Sequence, residues 1–166
     1  GKLPDYSYVG RTRDDNPNGE QCALFYRTDR FEKVSEQQFW LSETPDVPVS
    51  KSWDSSLPRI VTLVVLKDRK SDKTRTFYNT HFDHRGATAR LESAKLLRAN
   101  VEALPENAPV IITGDFNCDE GSKPYAELLG SSRLGDSYRL VYPDAKPDEG
   151  TFNGFKGTAD GARIDW

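Results

Sequence analysis

Histidine and cysteine are scarce in this chain, with two of each in 166 residues. Cys22 and Cys118 lie far apart in sequence, so no disulfide framework is indicated. No apolar run approaches the roughly 20 residues that cross a bilayer. No secretory leader is visible, and loss of the N-terminus would have removed one, so the compartment is left open. Net charge is scarce as well. Charged residues make up 30% of the chain, but 23 Lys and Arg nearly cancel 26 Asp and Glu, leaving −3. That balance supplies no overall basic excess for nonspecific nucleic-acid binding. It argues against a promiscuous nuclease and leaves room for a local Arg cluster. The hydrophobic fraction of 36% and the mean hydropathy of −0.72 are low for a self-contained fold. The length fits one domain with one core.

There are no repeats and no low-complexity linker. Residues 1–20 are polar, with a strong turn signal at Asp14-Asp15-Asn16-Pro17-Asn18-Gly19. Strands are predicted over 21–26, 31–41, 60–66, 75–81 and 110–113, with a Pro- and Ser-rich loop over 46–58. The pair 60–66 and 75–81, joined by a charged turn, reads as a hairpin. From Thr88 to Leu104 the period becomes helical: Leu91, Ala94, Leu97, Val101 and Leu104 share a face, and Pro105 ends the run. A short helix is predicted near 124–129 and another short element at 134–140. The tail to Gly161 is loop-like, and Arg163–Trp166 begins a strand. Mixed strands with helices define an α/β class.

Gly114-Asp115-Phe116-Asn117 follows the apolar run Val110-Ile111-Ile112. Asp115 and Asn117 are two apart and share a side in extended backbone. A carboxylate beside a neutral amide gives hard oxygen ligands, a set that suits Mg²⁺. The same residue types also make a turn. A second strand ends in Asn79, His81, Asp83 and His84, which places both histidines within four residues. Histidine is the side chain best able to move a proton near neutral pH. Zinc is disfavoured, because no Cys lies near the histidines and there is no HExxH.

The order of these segments resembles the endonuclease/exonuclease/phosphatase superfamily of metal-dependent phosphoesterases. The residues that carry the likeness are Phe39-Trp40-Leu41-Ser42-Glu43-Thr44-Pro45, Trp53-Asp54 and Pro58-Arg59-Ile60. They continue with Asn79-Thr80-His81-Phe82-Asp83-His84, Ala89-Arg90, Gly114-Asp115-Phe116-Asn117, Thr151-Phe152-Asn153-Gly154-Phe155 and Arg163-Ile164-Asp165-Trp166. The resemblance implies a four-layer α/β/β/α sandwich of two mixed sheets, with the site at the strand ends between them. It also implies Mg²⁺ or Mn²⁺ as cofactor, held by Asp115 and Asn117. Family members begin with a strand-borne Asn and a Gln-Glu, and end in Ser-Asp-His. Neither is present, so residues 1–166 are expected to be one domain incomplete at both ends, with little turnover alone.

Through the same resemblance, His81 contacts the phosphate and stabilises developing charge. Asp115 orients the attacking water or helps hold the metal. Asn117 binds phosphate or metal, Asn153 lies near the substrate, and Asp165 normally orients the C-terminal His. Asn79 and Arg59 are candidate phosphate contacts; Arg59 equally suits a scaffold pair with Asp54 or Glu43. Arg90 is expected to pair with Asp83 or Glu43. Trp40, Trp53, Phe152 and Phe155 are expected in the core rather than stacked on bases. Two readings stand. One is a metal-dependent phosphoesterase acting on a nucleic acid, nucleotide, phosphoinositide or phospholipid headgroup, with mild acidity favouring a small or lipid-derived ester. The other is an inactive phosphoesterase-like fragment or binding module. No obligate protein partner is evident.

Overall fold

The computed structural model describes residues 3–166. Its elements run β1 (Tyr6–Val9), β2 (Leu24–Arg27), β3 (Phe31–Trp40), β4 (Ile60–Asp68), β5 (Thr74–His81), α1 (Ala87–Glu102), β6 (Val110–Asp115), α2 (Lys123–Leu129) and α3 (Ser137–Val141). The strands form two sheets: a β1–β2 ribbon and a four-stranded sheet in the order β3-β4-β5-β6. In the larger sheet β3, β4 and β5 are antiparallel neighbours, while β5 and β6 are parallel. This is an α/β fold of two sheets with helices.

The apolar run of β4 explains its place. A strand without polar alternation must be covered on both faces, and Val61, Thr62 and Val64 are fully buried. One face of the sheet carries Phe39, Val61, Leu63 and Tyr78 against Ala94, Leu97 and Val101 of α1 and Leu128 of α2. The other carries Val64, Leu66 and Phe77 against Val9, Leu24 and Tyr26 of the small ribbon. The edge strand β3 is mostly exposed, carries Glu32, Lys33 and Glu36, and shifts register between Lys33 and Ser35. Charges and a bulge blunt an edge against further pairing. No helix among the described residues is long and apolar enough to cross a membrane.

Most predicted elements shift by one to three residues. β1 falls in a stretch read only as polar. The strand predicted over 21–26 begins only at Leu24, with Gln21 in an isolated bridge to Thr12. The last segment likewise forms a bridge, Asp165 to Asp115, rather than a ladder. Helix α1 has no side-chain cap of its own at Gly86. Asp54, more than thirty residues upstream, caps it instead, accepting from Ala89 N at 2.7 Å and Thr88 N at 3.2 Å. An N-terminal carboxylate satisfies orphan amides and complements the helix dipole.

Candidate active site

The parallel pair β5–β6 positions the candidate residues. Its register sets His81 beside Asp115, each the last residue of its strand. Ligands in α/β sheets bind beyond the carboxyl ends of parallel strands. The strands approach closely because residue 114 is glycine: a Cβ there would lie 2.4 Å from the Thr80 carbonyl oxygen. The third contributor arrives from the C-terminal segment. Asp165 pairs antiparallel with Asp115, reinforced by hydrogen bonds from Phe116 N to the Ile164 carbonyl and from Trp166 N to the Gly114 carbonyl. Cross-strand partners share a face, so three adjacent segments bring His81, Asp115 and Asp165 side by side. The Trp166 ring stacks on Phe116 with centroids 3.7 Å apart and fixes that segment.

His81 lies between two carboxylates. Its Nδ1 is 2.8 Å from Glu20 Oε1 and its Nε2 is 3.4 Å from Asp115 Oδ2. Glu20 also meets Arg13 at 2.6 Å and Arg59 at 3.4 Å. Sequence reading missed Glu20 and Arg13. Both flank a turn with no recognisable spacing to His81, and only the fold carries that turn over the strand end.

Asn117 adopts a left-handed backbone, φ 50°, which Asn tolerates better than most residues. Its N–H bonds Asp115 Oδ1 at 2.9 Å, and its Nδ2 donates to the Phe82 carbonyl at 2.9 Å. The turn reading of this motif therefore holds. One amide hydrogen is held by Phe82, and Asn117 has its oxygen, an acceptor, free of protein hydrogen bonds among the described residues.

Arg59 is 3% exposed. It pairs with Asp83 (Nε, 3.5 Å) and Glu20, and not with Asp54 or Glu43. Burial pushes its pKa down, with Arg13 adding to the effect, while Glu20 and Asp83 oppose it. Asp83 is buried and accepts from Ser56 N, Ser56 Oγ, Leu57 N, Arg85 N and Gly86 N. Burial alone would raise its pKa, but those hydrogen bonds outweigh it and hold the carboxyl far below the usual range. Arg90 frames the same loop through the Asp83 backbone carbonyl at 2.9 Å, rather than through a carboxylate.

Two candidate contacts are otherwise engaged. Asn79 shares the His81 face, yet its Nδ2 donates to the Ala23 carbonyl at 3.1 Å and its Oδ1 accepts from Thr113 Oγ1 at 3.2 Å. It ties the loop before β2 to the sheet, with one of its two amide hydrogens engaged there. Asn153 closes its own loop, with Nδ2 on the Thr158 carbonyl and Oδ1 on Lys156 N. That loop meets the cluster through Thr151, whose Oγ1 accepts from Ile164 N and Asp165 N. Phe152 and Phe155, expected in the core, are 49% and 96% exposed. They sit on a loop whose backbone is left-handed at Gly154, Phe155 and Gly157. Trp40 is half-buried, its indole N–H on the Arg13 carbonyl at 2.8 Å. A cavity of about 780 Å³ lies along β6 between Ile112, Leu128, Leu134 and Trp166. It reaches Asp165 but not His81, Asp115 or Asn117, so concavity alone does not find the cluster.

Among the described residues, no three His, Cys, Asp or Glu side chains gather as a ligand set. Mg²⁺ asks for less, usually one or two carboxylates with waters and substrate oxygens completing the shell. The donors here fit that demand. Asp115 and Asp165 oppose each other, an arrangement of like charges that is unfavourable without a cation, and Asn117 adds an acceptor oxygen.

The sequence model of the Endonuclease/Exonuclease/phosphatase family matches residues 2–166, and the chain belongs to that family. It is similar to an endonuclease/exonuclease/phosphatase family protein of Bacteroides thetaiotaomicron: 43% identity, TM-score 0.85, 98% of this chain and 58% of the other. A mannosyl-6-phosphatase of the same organism shows 40% identity and a TM-score of 0.80 over 98% of this chain and 61% of its own. A curated relative, an uncharacterized protein of Acanthamoeba polyphaga mimivirus, is 31% identical over 71% of this chain. Nocturnin of Xenopus laevis is 28% identical over 81% of this chain. The chain spans 45% and 33% of these two relatives' lengths.

Proposed function

We propose that this chain carries part of the active site of a metal-dependent phosphoesterase, which hydrolyses a phosphate ester by attack of water on phosphorus. The observation that carries the reading is the convergence of His81, Asp115 and Asp165 from three adjacent segments, with Glu20 behind His81. Family membership and the likeness to a mannosyl-6-phosphatase support it. That likeness and the net charge of −3 favour the phosphomonoester of a small polar alcohol over long DNA.

Glu20 holds the proton on His81 Nδ1 and fixes the ring, as carboxylates orient imidazoles elsewhere. Protonated His81 donates from Nε2 to a phosphoryl oxygen and stabilises the charge that develops there. Asp115 keeps Oδ1 on the Asn117 amide and uses Oδ2 to orient the attacking water and take its proton. The phosphorus–ester oxygen bond breaks, and the departing oxygen takes a proton from solvent, to which Asp115 returns the one it accepted from water. Asp115, Asn117 and Asp165 would hold Mg²⁺ or Mn²⁺. When bound, the ion supplies Lewis-acid polarisation of the phosphoryl group.

The test is hydrolysis of a hexose 6-phosphate and of bis-p-nitrophenyl phosphate. Activity is expected to vanish in EDTA, to return with Mg²⁺ or Mn²⁺, and to fall at least ~100-fold in Asp115→Asn. Undiminished turnover in excess chelator would remove the metal from this reading, and full activity in the variant would remove Asp115.

A further inference from the structure

His84 is the chain's other histidine, and the reaction outlined above does not use it. It is exposed, yet one edge of its ring is held in place. Nδ1 lies 2.9 Å from Arg59 Nη2 and 3.4 Å from Ser56 Oγ. A guanidinium has no acceptor atom, so the bond from Arg59 requires Nδ1 to accept. The proton of the neutral ring therefore sits on Nε2, at the far edge of the imidazole from Arg59. Among the described residues, no protein group hydrogen-bonds that nitrogen.

Arg59 joins the two histidines. Its Nη2 meets His84, its Nη1 meets Glu20 at 3.4 Å, and Glu20 meets His81 Nδ1 at 2.8 Å. One ion pair, with its guanidinium buried and its carboxylate exposed, thus orients both rings, in opposite senses. The carboxylate end makes His81 a donor at Nδ1, and the guanidinium end makes His84 a donor at Nε2. Arg13 stands in the same cluster on Glu20. A polar edge that is fixed from behind and open in front is preorganised for a ligand acceptor.

We propose that His84 is a further substrate contact of this site, its Nε2–H donating to a phosphoryl oxygen. The inference rests on the phosphoesterase reading. Its substrate chemistry is a phosphate group gripped from two sides, by His81 and by His84. The role separates from scaffolding because the two functions use different atoms of one ring. Asn places its amide near the position of Nδ1, and Gln places its amide near that of Nε2. His84→Asn keeps an acceptor for Arg59 and loses the outward donor. His84→Gln keeps the outward donor and loses the acceptor.

The experiment titrates inorganic phosphate, with Mg²⁺ present, into the wild-type chain and both variants, following imidazole nitrogen signals by NMR. With only two histidines, assignment follows from either variant. Free His84 is expected to show the Nε2–H form, and phosphate is expected to move its Nε2 signal together with that of His81. His84→Asn should weaken phosphate affinity about tenfold, the loss of one hydrogen bond to a charged group, while His84→Gln stays within about twofold. A shift of His81 alone, or Asn binding like wild type while Gln fails, would overturn the His84 contact and leave the phosphoesterase reading standing. No shift at either ring would overturn both. If a variant does not fold, the wild-type Nε2 signal decides.

Discussion

Replacing Asp83 tests how the loop behind the site is held. The carboxylate is 1% exposed and receives four backbone N–H groups, from Ser56, Leu57, Arg85 and Gly86, at 2.7–3.3 Å. The Ser56 hydroxyl at 2.7 Å and Arg59 Nε at 3.5 Å complete its shell. Alanine would strand these donors together and leave Arg59 buried with one fewer counter-charge. A lone stranded donor costs about 1–3 kcal/mol, and breaking a buried pair costs about 3–5 kcal/mol. Water enters part of the space, so about 4 kcal/mol is expected for Asp83→Ala rather than the full sum. Asp83→Asn keeps one oxygen, enough for the Arg85 and Gly86 amides. It turns an NH₂ toward Ser56 and Leu57, and about 2 kcal/mol is expected. The assay is urea unfolding followed by far-UV circular dichroism. With an m-value of about 2 kcal/mol/M, the midpoints at pH 7 should fall by roughly 2 M and 1 M. The folded-state pKa of Asp83 is depressed. Its stabilisation is therefore fully present above the unfolded value near 3.9 and is lost as pH falls toward the folded value. The gap between wild type and Asp83→Asn should accordingly be constant from pH 7 to about 5 and shrink below about 4. Equal midpoints at pH 7, or a gap that does not change on acidification, would refute the reasoning.

Gly114→Ala should cost at least ~2 kcal/mol in the same unfolding assay, because its Cβ would press on the Thr80 carbonyl oxygen at 2.4 Å, a form of overpacking; a variant as stable as wild type would show that the strands can separate there. Glu20→Gln should lower kcat by roughly 10- to 100-fold with a smaller effect on KM, since it removes the charge behind His81; an unchanged kcat would detach Glu20 from the chemistry. Both thiols are buried, and burial pushes Cys22 up to about 12 and Cys118 upward as well. Neither should react with Ellman's reagent at pH 8 until the chain unfolds; rapid labelling of the native protein would contradict this packing.

The strongest sequence signals became the best-placed elements. Alternation failed and apolar density rose in Ile60–Leu66, and the chain made that segment the strand buried on both faces. The spacing of Leu91, Ala94, Leu97 and Val101 became a helix over nearly the predicted residues. Where prediction slipped, the deciding contacts were long-range. β1 is legible only once β2 pairs with it, because Tyr6 and Tyr8 face solvent. Phe152 and Phe155 look like core residues by composition, and the left-handed loop that carries them turns them outward.

Sequence alone determined which chemistry was on hand: two histidines in one segment, Asp115 and Asn117 at the end of an apolar strand, and a carboxylate near the C-terminus in an order that marks the family. Local rules suffice for this, because side-chain periodicity and turn chemistry act over a few residues. Only the tertiary structure decided what each group faces. Parallel register set His81 against Asp115, and a bridge brought Asp165 alongside. The loop at residue 20 delivered the carboxylate behind His81, and Asn79 and Asn153 were spent on backbone carbonyls. Apart from the local bond at Asn153, these pairings span 34 to 61 positions in sequence. No local pattern encodes them, because they arise when the sheet, the crossover helix and the loops bury one another's surfaces together.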